Sequence, residues 1–140
     1  MTCTFFGHRD FPQEMQPALQ MQIADLIARK GADRFYVGNQ GGFDFAVLQA
    51  LRACKAIFPQ IRYSVVLAYM PRDALFGTSE SETVFPEAVA AAPRRFAISY
   101  RNRWMLERAD CVVTYIRHDF GGAAQFAAVA ARRGKLLVRL

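Results

Sequence analysis

Residues 34–44 read Arg-Phe-Tyr-Val-Gly-Asn-Gln-Gly-Gly-Phe-Asp. A short apolar run, Phe35-Tyr36-Val37, breaks into a loop from Gly38 to Gly42 that is mostly glycine. An amphipathic stretch follows and stops at Pro59. A strand that ends at glycine and re-enters as a helix is half of a βαβ unit. Successive backbone N–H groups in such a loop, backed by a helix N-terminus, form a concavity suited to an anion. No GK[ST] follows, so this is not a Walker loop, and the GxGxxG spacing of the dinucleotide fingerprint is also missing.

The same alternation extends to both ends of the chain. Upstream, Thr2–Phe6 reads as a first strand ended by Gly7. Pro12 and Pro17 bracket the start of a helix to Lys30, with Leu19, Ile23, Leu26 and Ile27 at helical spacing and Gly31 as its cap. Downstream, the spacing predicts a helix over 43–58 with Phe45, Leu48, Leu51 and Ala56 inward, then a strand over 63–69. Residues 70–92 are the least regular, with Pro71, Gly77 and the polar run TSESET; Pro86–Ala91 reads as a short helix. Pro93 opens a helix to Arg108, 112–116 is the next strand, 118–122 a loop, 123–133 a helix capped by Gly134, and 136–140 the last strand. This pattern predicts a single α/β domain over 1–140. It is Rossmann-like and three-layered, with a mainly parallel five-stranded sheet in the order 3-2-1-4-5. The topological switch then falls between strands 1 and 4, and ligands bind outside the strand C-termini at such a point.

Composition narrows the function classes. The 140 residues carry a net charge of +6, and 15 of the 18 basic residues are arginine, whose planar fork suits phosphate and carboxylate. The positive charge is diffuse, without a Lys/Arg run or an aromatic ribonucleoprotein motif, so nucleic acid is not the expected partner. Three cysteines without CxxC spacing or a nearby histidine cluster predict neither disulfides nor a metal site, and no cofactor motif is present. Cys3 and Cys111 lie in apolar runs and read as small buried hydrophobes. The start MTCTFFGHRD lacks a secretory pattern, and no apolar run spans a membrane, so a cytoplasmic protein is expected.

Four constellations carry chemistry. Gly7-His8-Arg9-Asp10 follows the first strand, where glycine permits close approach and His8 and Arg9 can donate to phosphate; the bland alternative is a plain turn. Gly38, Asn39, Gly41 and Gly42 form the loop quoted above, and Asp44 either caps it, binds a ribose hydroxyl, or simply complements the helix dipole. Arg101-Asn102-Arg103-Trp104 sits inside the helix before strand 4; Arg101 and Trp104, three apart, share a face unless the arginines are merely solvated. Asp119-Phe120-Gly121-Gly122 repeats the double-glycine device at the start of the last helix. The glycines of all three loops should line one pocket.

In this order, FFGHRD (5–10), FYVGNQGGFD (35–44), FAISYRNRWML (96–106) and GGAAQFA (121–127) resemble the SLOG superfamily, which includes the LOG and DNA-processing Smf/DprA proteins. The likeness covers essentially the whole chain and is nearest to the small stand-alone branch. It implies a Rossmann-like fold and a nucleotide-derived ligand in the cleft, and relatives commonly form homodimers, here expected through part of segment 86–106. LOG phosphoribohydrolases carry PGGxGT followed by a catalytic glutamate. Here Phe120 stands at the proline, Ala124-Gln125 at GT, and Ala127 and Ala128 where the glutamate would be. The expected function is therefore binding or sensing of a small phosphate-bearing ligand, with no catalytic residue assigned. The alternative is N-glycosidic hydrolysis by a relocated carboxylate, for which Asp44, Asp119 and Glu107 are the candidates.

Overall fold

The computed structural model describes residues 1–70 and 82–140. Its elements are β1 (Thr2–Gly7), α1 (Gln16–Lys30), β2 (Arg34–Val37), α2 (Gly42–Ile57), β3 (Arg62–Val66), β4 (Glu82–Val84), α3 (Glu87–Ala90), α4 (Ala97–Arg108), β5 (Cys111–Tyr115), α5 (Gly122–Arg132) and β6 (Leu136–Arg139). Single 3-10 turns at Gln13–Met15 and Arg94–Phe96 lead into α1 and α4. The strands form one sheet in the order β4-β3-β2-β1-β5-β6, every pair parallel.

The layers follow from period-2 alternation on the central strands. On β1, Cys3 and Phe5 face one way and join Leu19, Ile23 and Leu26 of α1 with Val47 and Leu51 of α2. Phe6 faces the other way and joins Met105 and Leu106 of α4 with Phe126 and Ala130 of α5. All five residues of β5 are buried. This is the near-continuous apolar run that a strand covered on both faces requires. Cys3 and Cys111, paired across β1 and β5, are fully buried free thiols.

The expected α/β architecture is present, with one more strand than expected. Glu82–Val84 pairs with β3 at the sheet edge, inside the stretch read as irregular; Pro71 to Ser81 of that stretch lie outside the described residues. Two exposed residues and one half-buried valine leave no apolar run in the sequence, and Glu82 is fixed by Arg34, whose guanidinium lies 3.2 Å from its carboxylate. β3 ends at Val66 rather than Tyr69, although the Leu67 N–H still donates to Val84 O. The inward face of α2 also differs in phase. Phe43, Ala46, Val47, Ala50, Leu51 and Cys54 are buried, whereas Phe45 is 63% exposed and Ala56 is exposed.

Gly7 closes β1 under α2. A Cβ there would run into the Phe43 ring, which is itself fully buried. Gly122, by contrast, has nothing within 4 Å of an added Cβ. Gly7→Ala should therefore destabilise the fold by about 1–3 kcal/mol through overpacking. Gly122→Ala should stay within about 0.5 kcal/mol. Urea unfolding of the two variants beside the unaltered chain measures the contrast.

Candidate functional site

A cleft of about 240 Å³ opens at the C-terminal edge of the sheet, on the α4 and α5 side. That volume is just below the range of about 300–1,000 Å³ usual for small-molecule sites. Gly7, His8, Arg9, Gly38, Asp44, Arg101, Asn102 and Gly122 line it. Asn39, Gly41, Asp119 and Gly121 do not line it, nor does Gly42. The switch point, with β2 and β5 flanking β1, puts the loops after β1 and β5 on either side of the opening.

Arg101 is the cleft's central cation. It projects from α4 and is only 3% exposed. Its Nε donates to Asn102 Oδ1 at 2.9 Å, and its Nη1 to Val66 O at 3.2 Å, where β3 ends. Burial pushes the guanidinium below its usual range, and the nearby Asp44 and Tyr69 charges oppose this. Among the described residues it has no ion-pair partner. A Cβ on Gly38 would collide with this guanidinium and would lie 2.9 Å from Asp44 Oδ2. Both charges thus press on one glycine without forming a salt bridge. Here glycine is required by close approach.

Asp44 is the cleft's carboxylate. Its Oδ2 accepts the Gln40 N–H at 2.8 Å. Burial pushes its carboxyl above the ordinary carboxylate range, while the Gln40 N–H and the Arg101 charge pull it back. Glu107 and Asp119, the other candidate carboxylates, are exposed and outside the cleft.

The two double-glycine loops share one backbone device. Gly41 (φ 150°, ψ −175°) and Gly121 (φ 92°, ψ 172°) each precede a helix that begins at the second glycine. Their surroundings differ. In the first loop the Gly42 N–H donates to Arg9 O at 2.9 Å, and the Gln40 N–H is taken by Asp44. A Cβ on Gly42 would overlap Arg9 O. These glycines seat one loop on another, so the expectation that Gly41 and Gly42 line the pocket is corrected: neither lines it, and the Gln40 and Gly42 N–H groups already have protein acceptors. In the second loop no side chain caps α5, and Gly122 and Ala123 face the cleft.

His8 is buried in the cleft wall. Its Nε2 accepts the Arg117 N–H at 3.0 Å, which places the ring proton on Nδ1. The ring stacks on His118 at 3.7 Å, and His118 stacks on Phe120 at 3.9 Å. Burial first, then the His118 and Arg117 charges, hold the His8 pKa below its usual value, with Asp10 opposing. Trp104 does not line the cleft with Arg101. It packs edge-on against Tyr36 at 5.1 Å and lies under Arg108 at 3.8 Å. Gln40, Ile98, Met105 and Ala123 also line the cleft and were not anticipated. The signal for two of them was present, since Ile98, Arg101, Asn102 and Met105 recur at helical spacing.

A histidine held neutral in the fold favours the native state above the unfolded pKa of about 6.5, and that gain is lost as pH falls through the lower folded value. The melting temperature should therefore drop as pH goes from 7 to 5, and His8→Gln should drop less over the same range. Thermal unfolding of both proteins across that window reads the difference. No family model matches the chain and no curated protein matches it, so the cleft itself is the ground on which its function is read.

Proposed function

We propose that the chain binds a small, phosphate-bearing, nucleotide-derived ligand in this cleft, with the anionic group at the N-terminus of α5. The observation that carries the reading is the pairing of an uncapped helix N-terminus at Gly122 and Ala123 with a buried arginine that lacks a carboxylate partner among the described residues. Arg9 and the His8 Nδ1–H add donors on the same wall. Asn102 and Asp44 supply polar contacts for hydroxyl groups. The motif order shared with the SLOG superfamily supports the nucleotide class. Asp44 also favours a second reading, N-glycosidic hydrolysis. It is the one candidate carboxylate that lines the cleft, and its raised pKa suits a group that stabilises an oxocarbenium ion and activates the water that replaces the base.

Adenosine monophosphate serves as the probe. Arg101→Ala should weaken its binding about tenfold or more, since a charge-assisted hydrogen bond contributes roughly 1.5–3 kcal/mol. Arg132→Ala, exposed at the end of α5, should change little. Calorimetry on both variants, with melting curves to separate lost folding from lost binding, decides between a local site and a diffuse field. Small, equal losses would place the site elsewhere. In the hydrolysis reading, the unaltered chain releases free base and Asp44→Asn does not; the absence of release from the unaltered chain leaves binding alone.

We further propose a homodimer through part of segment 86–106. Phe96 and Tyr100, four apart on the outer side of the α4 region, are 45% and 37% exposed. Light scattering at micromolar concentration should give about twice the 15.8 kDa chain mass. A mass of one chain refutes the dimer.

A further inference from the structure

Resting on the phosphate-cleft reading, we infer that Phe120 is the base-recognition residue: its free ring face receives a planar heteroaromatic group of the ligand and so makes the site selective for nucleotides over bare sugar phosphates. Three rings run outward from the cleft wall in a nearly parallel pile. His8 and His118 are 3.7 Å apart with planes 18° from parallel, and His118 and Phe120 are 3.9 Å apart at 19°. These spacings are those at which aromatic rings stack face on face. The inner end of the pile is anchored, because His8 is buried and its Nε2 holds the Arg117 N–H. His118 is tied to the same loop, its Nδ1 lying 3.0 Å from Phe120 O. The outer end is open, with Phe120 68% exposed although one face of its ring is covered by His118.

An exposed phenylalanine has a reason to be stacked and held in this way if its other face has a partner. Its place in the chain says which kind. Phe120 immediately precedes Gly121-Gly122, the turn that opens α5. A ligand whose phosphate meets that helix N-terminus therefore has an aromatic surface beside it on the same loop. Stacking on an aromatic side chain reads the π-face that every base has, so this subsite discriminates base from no base rather than one base from another. His8 and Arg9, which line the cleft at the inner end of the pile, remain for the rest of the ligand.

The test compares adenosine monophosphate with ribose 5-phosphate on the full chain by calorimetry. The unaltered chain should bind the nucleotide about 5- to 100-fold more tightly, the range expected of one stacked base. Phe120→Ala should remove that preference and leave ribose 5-phosphate binding unchanged, and Phe120→Trp should keep the preference. If Phe120→Ala weakens both ligands alike, Phe120 positions the glycine loop and the inference falls while the phosphate cleft stands. If the preference survives Phe120→Ala, the base lies elsewhere and the inference also falls. If neither ligand binds the unaltered chain, the phosphate-cleft reading fails and the inference fails with it.

Discussion

Burial on both faces of β1 and β5 is the constraint from which the rest follows. Phe5 and Phe6 point to opposite layers, and every residue of β5 is buried, so the sheet centre accepts no charged side chain. Polar groups gather at the edge where the strands end, and the crossing from β4 back to β5 parts the loops there. The one buried guanidinium among the described residues obeys the same rule. Arg101 reaches in from α4 only as far as the end of β3, where the Val66 carbonyl accepts its Nη1 and the Asn102 side chain accepts its Nε. An enclosed charge is costly without such acceptors. With them, it remains a cation in a low-dielectric wall, where its field is least screened.

Gly38 sets the spacing of that wall. Because no side chain stands between strand and helix at this point, the Arg101 guanidinium and the Asp44 carboxylate both close on the backbone. They influence each other's protonation but do not neutralise each other by direct contact. The cleft therefore keeps a positive and a negative group side by side, an arrangement suited to a ligand that has both an anionic end and hydroxyl groups.

Much of this was legible in the residues, and the gaps have physical causes. Strong periodicity found α1 and the central strands, and the glycines marked the loops at the switch edge. Glu82–Val84 escaped because an edge strand of three residues has no apolar run to betray it, its stability coming from pairing with β3 and from Arg34. The phase of α2 is not legible because its sequence is apolar on more than one face; tertiary packing buries Phe43 and Val47 and leaves Phe45 and Ala56 exposed. In the site, residue type pointed to Arg101 and Asp44 but could not tell that Trp104 turns away to Tyr36. Nor could the sequence separate the two double-glycine loops. Each opens a helix at its second glycine, and the approach of Arg9 and Asp44, from elsewhere in the fold or one turn along, distinguishes them.

That difference gives the cleft a direction. Two helix starts with the same double glycine lie at one sheet edge, and in the first the chain occupies two backbone donors with its own carboxylate and its own carbonyl. The α5 start, with no side-chain cap, and the Asp44 carboxylate both line the cleft, so its wall holds one place that favours negative charge and one that disfavours it. The carboxylate and carbonyl act as internal competitors at fixed, saturating concentration, and they give the cleft its polarity.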